Sequence, residues 1–180
     1  KEIRRKTLYV IISRPIHRWH YVVGKYLGLA LTLLVEVGAL SAGLVLLLLL
    51  EGEAPGVLLL KALYLYMLEV LLVAGLAVFF ASFSSPYLSG LFTLGLFVVG
   101  RSLPVLDRLA EKVADPLPHA LLKGLFYVLP NLAEFNRGTL AVNLVEIPAG
   151  DVATVTLYGV GYLALLLLLA AWIFSRRDLV

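Results

Sequence analysis

The chain reads as an all-α protein, a polytopic membrane helix bundle with about four transmembrane helices. Three observations predict this class. Hydrophobic residues fill 61% of the 180 positions and charged residues only 15%, whereas soluble domains are about half apolar and about a quarter charged. The mean hydropathy is +0.97. Runs of roughly 20 apolar residues, the length that crosses ~30 Å of hydrocarbon, recur at 22–50, 57–83, 87–103 and 155–174.

The first element is a basic segment, 1–21, carrying Lys1, Arg4, Arg5, Lys6, Arg14 and Arg18, with Lys25 just inside the span that follows. Cations flanking a span mark its cytoplasmic side, so this end is predicted to be cytoplasmic. The first span is on the order of 40 Å long at 1.5 Å per residue, so its beginning extends into the interfacial zone. Trp19, Tyr21 and Tyr26 at its entry, and Tyr158 and Trp172 near the ends of the last span, suit an interfacial aromatic belt. The acidic turn 51–56 leads to the second span and the tight turn 82–86 to the third, so 22–103 holds three transmembrane helices.

Region 104–154 must then lie outside. Val105, Leu106, Leu109 and Val113 share one helical face opposite Asp107, Arg108, Glu111 and Lys112, which predicts an amphipathic helix in the interface. Residues 117–130, marked off by Pro116, Pro118 and Pro130, are short for a crossing and predict a re-entrant segment. Were they a true span, Arg176 and Arg177 would fall on the exterior side, against the charge rule. The last helix and its tail, 155–180, return the chain to the cytoplasm.

Several chemistries are excluded. There is no cysteine, so disulfides, thiolate metal sites and thiol catalysis are ruled out. His17 and His20 lack a carboxylate partner and sit among cations, His119 is alone, and Ser84-Ser85 has no adjacent base, so no metal site and no catalytic residue is assigned. No phosphate-binding loop is present, which leaves ATP hydrolysis to another protein and predicts no cofactor. The net charge of +3 is concentrated towards the chain ends, which does not suit nucleic acid.

Two carboxylates stand inside predicted spans, Glu36 and Glu69. A charge at the bilayer centre costs at least ~2.5 kcal/mol, so each is expected to line a path, to pair across helices, or to be protonated and hydrogen-bonded to a neighbouring helix. Lys61 and Arg101 near the exterior ends are expected to snorkel. Gly24-xxx-Gly28 and Ala39-xxx-Gly43 permit close helix approach within the subunit or at a dimer seam. Gly90, Gly95 and Gly100 recur every five residues and keep no single face.

These residues carry a resemblance. Glu2-Ile3-Arg4-Arg5-Lys6-Thr7-Leu8, then Ile12-Ser13-Arg14-Pro15-Ile16-His17-Arg18, then Gly24-Lys25 resemble the cytoplasmic segment of ABC-2 type transporter permeases. The closing Phe174-Ser175-Arg176-Arg177-Asp178-Leu179 is similar to that family's usual end. Leu129-Pro130-Asn131-Leu132 with Phe135-Asn136 is similar to its exterior segment. The resemblance implies a permease subunit of an ATP-driven exporter in a prokaryotic cytoplasmic (inner) membrane, both ends of this chain cytoplasmic. Its implied partners are an ATP-binding cassette subunit, a second permease subunit in a homodimer or heterodimer, and membrane lipids. It implies that the family's first two spans would precede Lys1, and that Arg5, Thr7, Leu8, Ile11, Ile12, Arg14, Pro15 and Arg18 form the coupling segment that docks on the ATPase.

The residues fit that role. Leu8, Ile11 and Ile12 offer an apolar face at helical spacing, Pro15 turns the chain, and Arg14, Arg18 and Lys25 can meet anionic headgroups. From charge alone the segment is a topology anchor; the order of the motifs favours docking. Two other classes stand beside the permease: a membrane enzyme using Glu36, Glu69 or His119, which requires them to converge, and a non-transporting scaffold.

Overall fold

A computed structural model of the chain describes residues 18–110 and 116–176. Among them every regular element is helical: α1 (Arg18–Leu50), α2 (Val57–Ala81), α3 (Pro86–Ala110), α4 (Pro116–Val128), a 3₁₀ turn (Leu132–Phe135), α5 (Gly138–Val142) and α6 (Ala149–Arg176). Four of them, α1, α2, α3 and α6, are long and apolar enough to cross a membrane, as the composition predicts.

α1 ends where its carbonyls find outside donors. Gly52 adopts φ +80°, its N–H bonds the Leu49 carbonyl, and the Glu53 N–H bonds the Leu48 carbonyl. This paired pattern closes a helix through a left-handed residue that glycine adopts without strain. The next turn is tighter. Ser82 Oγ donates to the Phe79 carbonyl, Pro86 begins α3 where a missing N–H costs nothing, and Ser89 Oγ donates across to the Ala77 carbonyl.

α2 is hydrophobic on all sides, the pattern of a helix enclosed by others, and α1, α3, α5, α6 and the 3₁₀ turn all pack on it. Two clusters form its core. At one end Val22, Tyr26, Ala74, Val78, Ala170 and Phe174 join α1, α2 and α6. At the other, Leu65, Leu72, Leu132, Phe135, Val155 and Leu166 join α2 and α6 to the 3₁₀ turn. Tyr21 stacks on Phe174 with ring centroids 5.3 Å apart, so the start of α1 and the end of α6 meet at one end of the bundle.

α3 does not stop at Leu103. It runs through Pro104 to Ala110, so Val105, Leu106 and Leu109 prolong the third helix instead of opening a separate one; Val113 lies outside the described residues. Pro104 removes the bond its N–H would give the Gly100 carbonyl and its ring crowds that carbonyl, yet the helix continues past it to Ala110.

The chain then doubles back. His119 Nδ1 lies 2.9 Å from the Ala110 carbonyl, so α4 starts beside the end of α3. Its 13 residues extend only about 20 Å, short of the ~30 Å of hydrocarbon. By the end of α4 the chain is level with Gly100 and Tyr162. Tyr162 donates to the Val128 carbonyl at 2.8 Å, and the Asn131 N–H donates to Tyr158 Oη at 2.8 Å. The 3₁₀ turn and α5 climb back to α6, where Lys61 Nζ donates to the Ile147 carbonyl at 2.6 Å. Lys61 thus ties down the chain entering α6 instead of only reaching for water.

Two glycines seat this hairpin. A Cβ on Gly100 would lie 2.8 Å from the Pro130 carbonyl oxygen, and one on Gly159 would lie 3.0 Å from the Phe135 ring. Gly90 and Gly95 meet nothing, so Gly100 alone of the five-residue series has a packing duty, and Gly24, Gly28 and Gly43 likewise have no neighbour within 4 Å. Their open faces are not used for packing within the described residues. Gly100→Val is expected to lower stability by about 1–3 kcal/mol, the range for overpacking, measured by chemical unfolding in detergent, while Gly95→Val stays within about 0.5 kcal/mol.

Candidate intramembrane site

The polar centre of the bundle is a bidentate ion pair between α2 and α3. Arg101 Nε donates to Glu69 Oε1 and Arg101 Nη2 to Glu69 Oε2, both at 2.8 Å. Glu69 is 1% exposed and the Arg101 side chain 34% exposed. Two parallel charge-assisted bonds suit the planar guanidinium fork, and in a low-dielectric surround their attraction offsets part of the cost of removing both charges from water. Phe97, one turn before Arg101, lies under the guanidinium at 5.2 Å from ring centroid to Cζ.

Pairing across helices is one of the roles expected of Glu69. The expectation for Arg101 was incomplete: it does not simply snorkel, because a buried carboxylate holds it. α2 and α3 form a tight antiparallel hairpin, and the two opposite charges lie at similar distances from its turn.

The pair stands at one end of a groove of about 470 Å³ walled by Leu29 and Leu33 of α1 on one side and by Phe97 and Arg101 of α3 on the other. α2 forms its floor with Tyr66, Val70, Val73 and Ala77. Volumes of this order are usual for small-molecule sites, as is an apolar lining with few polar groups. Ser41, Tyr64 and Met67 line a second hollow of about 400 Å³ between α1 and α2, next to the hydrogen bond between Tyr64 and Thr156 at 3.2 Å.

The other residues singled out from sequence do not gather here. Glu36 is exposed on α1 and lines neither hollow. His119 bonds the end of α3. The convergence that a membrane enzyme needs is therefore not found among Glu36, Glu69 and His119, and no three metal-ligating side chains cluster among the described residues. Arg5, Thr7, Leu8, Ile11, Ile12, Arg14 and Pro15 lie outside the described residues, as does His17, and Arg18 is the first residue of α1. His20 stacks on Trp19. Tyr158, expected in an aromatic belt, accepts the bond that holds Asn131.

A family model described as ABC-2 family transporter protein matches residues 1–179. No curated protein and no solved structure matches the chain significantly.

Removing one partner of a buried pair leaves an uncompensated charge. Arg101→Leu is expected to cost about 3–5 kcal/mol, and adding Glu69→Leu to recover most of that loss. A double-mutant cycle by chemical unfolding in micelles measures both; equal additive losses would contradict the pairing energetics.

Proposed function

The chain belongs to the ABC-2 family of transporter proteins, and from that premise we propose that it is the permease subunit of an ATP-driven exporter. It works with a separate ATP-binding cassette subunit and a second permease subunit in a prokaryotic cytoplasmic membrane. The family is not itself catalytic, so the energy comes from the partner.

The observation that carries this reading is the meeting of α1 and α6 at Tyr21 and Phe174. A permease driven from one side needs its coupling segment and its tail on that side. Four helices long and apolar enough to cross support a return of the chain to the face where it began, and the cations before α1 support the cytoplasm as that face. Segment 5–18 then lies at the membrane surface where an ATPase can reach it. Its apolar residues Leu8, Ile11 and Ile12 form the docking face, and Arg14 and Arg18 hold it against anionic lipid.

Glu36 supports an assembly larger than one chain. An exposed carboxylate in the middle of a span is costly against lipid, so a second subunit or a wet path covers it. Gly24, Gly28 and Gly43, on the same helix, leave room for close approach.

Three experiments test the reading. The chain is expected to co-purify with an ATP-binding subunit and to raise its ATPase activity when co-expressed with it. Ile12→Asp combined with Arg14→Glu is expected to lower that stimulation at least tenfold while membrane insertion stays the same. Unchanged transport in this variant would reject docking through segment 5–18. Glu36→Gln is expected to reduce export several-fold; full export would remove Glu36 from the path.

A further inference from the structure

We propose that the groove between α1 and α3 is a lateral binding site for an uncharged amphiphile, its ester or amide carbonyl on Arg101 and its aliphatic tail on Val70 and Val73. As a statement of cargo class this rests on the permease reading; as a binding site it does not.

The head of the site is set by unused donors. A guanidinium carries N–H groups on all of its nitrogens, and Glu69 engages only Nε and one N–H of Nη2. The rest find no acceptor among the described residues, yet the side chain is one-third exposed inside a groove lined mainly by hydrocarbon. Donors without partners in such a medium are costly, so a molecule that brings an acceptor gains more here than it would in water.

The sign of the charge follows from the pair. Glu69 already neutralises Arg101. An anionic head would bring a new uncompensated charge within reach of Glu69, and a cationic head would compete with Arg101 for Glu69, the one carboxylate lining the groove among the described residues. A neutral carbonyl oxygen satisfies the free donors and adds no charge. Tyr66, exposed at the same end, has a hydroxyl that can donate to a second oxygen of the head.

The tail follows from depth. Tyr66 and Ala77 mark the two ends of the α2 floor, and the residues between them span about 16 Å along a helix. Arg101 stands about 9 Å, or six residues, inside the level of Asp107, where the charged end of α3 begins. A bilayer lipid keeps its head at the surface and does not reach this depth without leaving its leaflet. The groove therefore suits a compact head carried inward, with an aliphatic tail of at most ~16 Å below it.

Purified full-length chain in phosphatidylcholine vesicles, without ATPase, is to be labelled with three probes sharing one diazirine-bearing alkyl tail: an N-methyl amide, a carboxylate and a trimethylammonium. The amide is expected to label Leu29, Val70 and Val73 at least tenfold more than either charged probe. Val73→Trp, or Leu29→Trp from the open wall if the first variant misfolds, is expected to abolish that labelling, and Arg101→Lys to reduce the preference for the amide. Labelling of the groove no stronger than that of lipid-facing Leu40 or Leu94, or equal labelling by all three probes, would overturn the proposal. So would a Val73→Cys variant that cross-links to a second copy, because a partner helix would then fill the groove. If labelling succeeds while no ATP-binding subunit engages the chain, the site stands and the permease reading falls; if labelling fails while the ATPase engages, the reverse holds.

Discussion

The absence of a side chain at Gly100 is the constraint on which the seat of α4 and the 3₁₀ turn beside α3 depends. A backbone carbonyl from Pro130 occupies the space a Cβ would need, and Leu132 follows it into the core. That contact lets α4 and the 3₁₀ turn enter beside α3 and leave again on the same side. Lipid permits non-helical backbone at depth only where protein covers it. Tyr158 and Tyr162 supply hydrogen bonds to the turning backbone, and Gly159 admits the Phe135 ring. Because α4 and the 3₁₀ turn double back beside α3, α6 runs back along α2 and ends against the start of α1.

The ion pair works within that frame. Glu69 is sealed beneath α3, whereas Arg101 is open on one side. The asymmetry separates two roles in one interaction. The closed edge joins α2 to α3, and the open edge presents donors to whatever enters between α1 and α3. The two clusters that flank it are mainly apolar, Tyr66 is its polar neighbour in the groove, and the α2–α3 hairpin holds its geometry.

Sequence periodicity and length revealed the four long helices, because a membrane span is a one-dimensional signal. The shortness of 117–130 and the charge at Arg176 also pointed to a returning insertion. Two features depend on partners far apart in the chain and stayed hidden. Gly100 looked like one of a series, since nothing local says that Pro130 comes to it. Lys61 and Arg101 looked like end-of-span cations, since their acceptors, at Ile147 and Glu69, lie on other helices. Pro104 suggested a boundary, since a proline disfavours a helix interior, yet α3 continues through it to Ala110. The family was readable from motifs in 1–25, whose first 17 residues lie outside the described structure, so the coupling segment rests on sequence and the groove on structure.

Docking of an ATPase on segment 5–18 requires both chain ends to face one side of the membrane. The sequence has no cysteine, so single cysteines can be placed at Trp19, Glu53 and Ser175 in sealed vesicles of known orientation and labelled with a membrane-impermeant maleimide. Positions 19 and 175 are predicted to label from the cytoplasmic face and position 53 from the opposite one. Labelling of 19 and 175 from different faces would contradict the even crossing, the returning insertion and the proposed docking together.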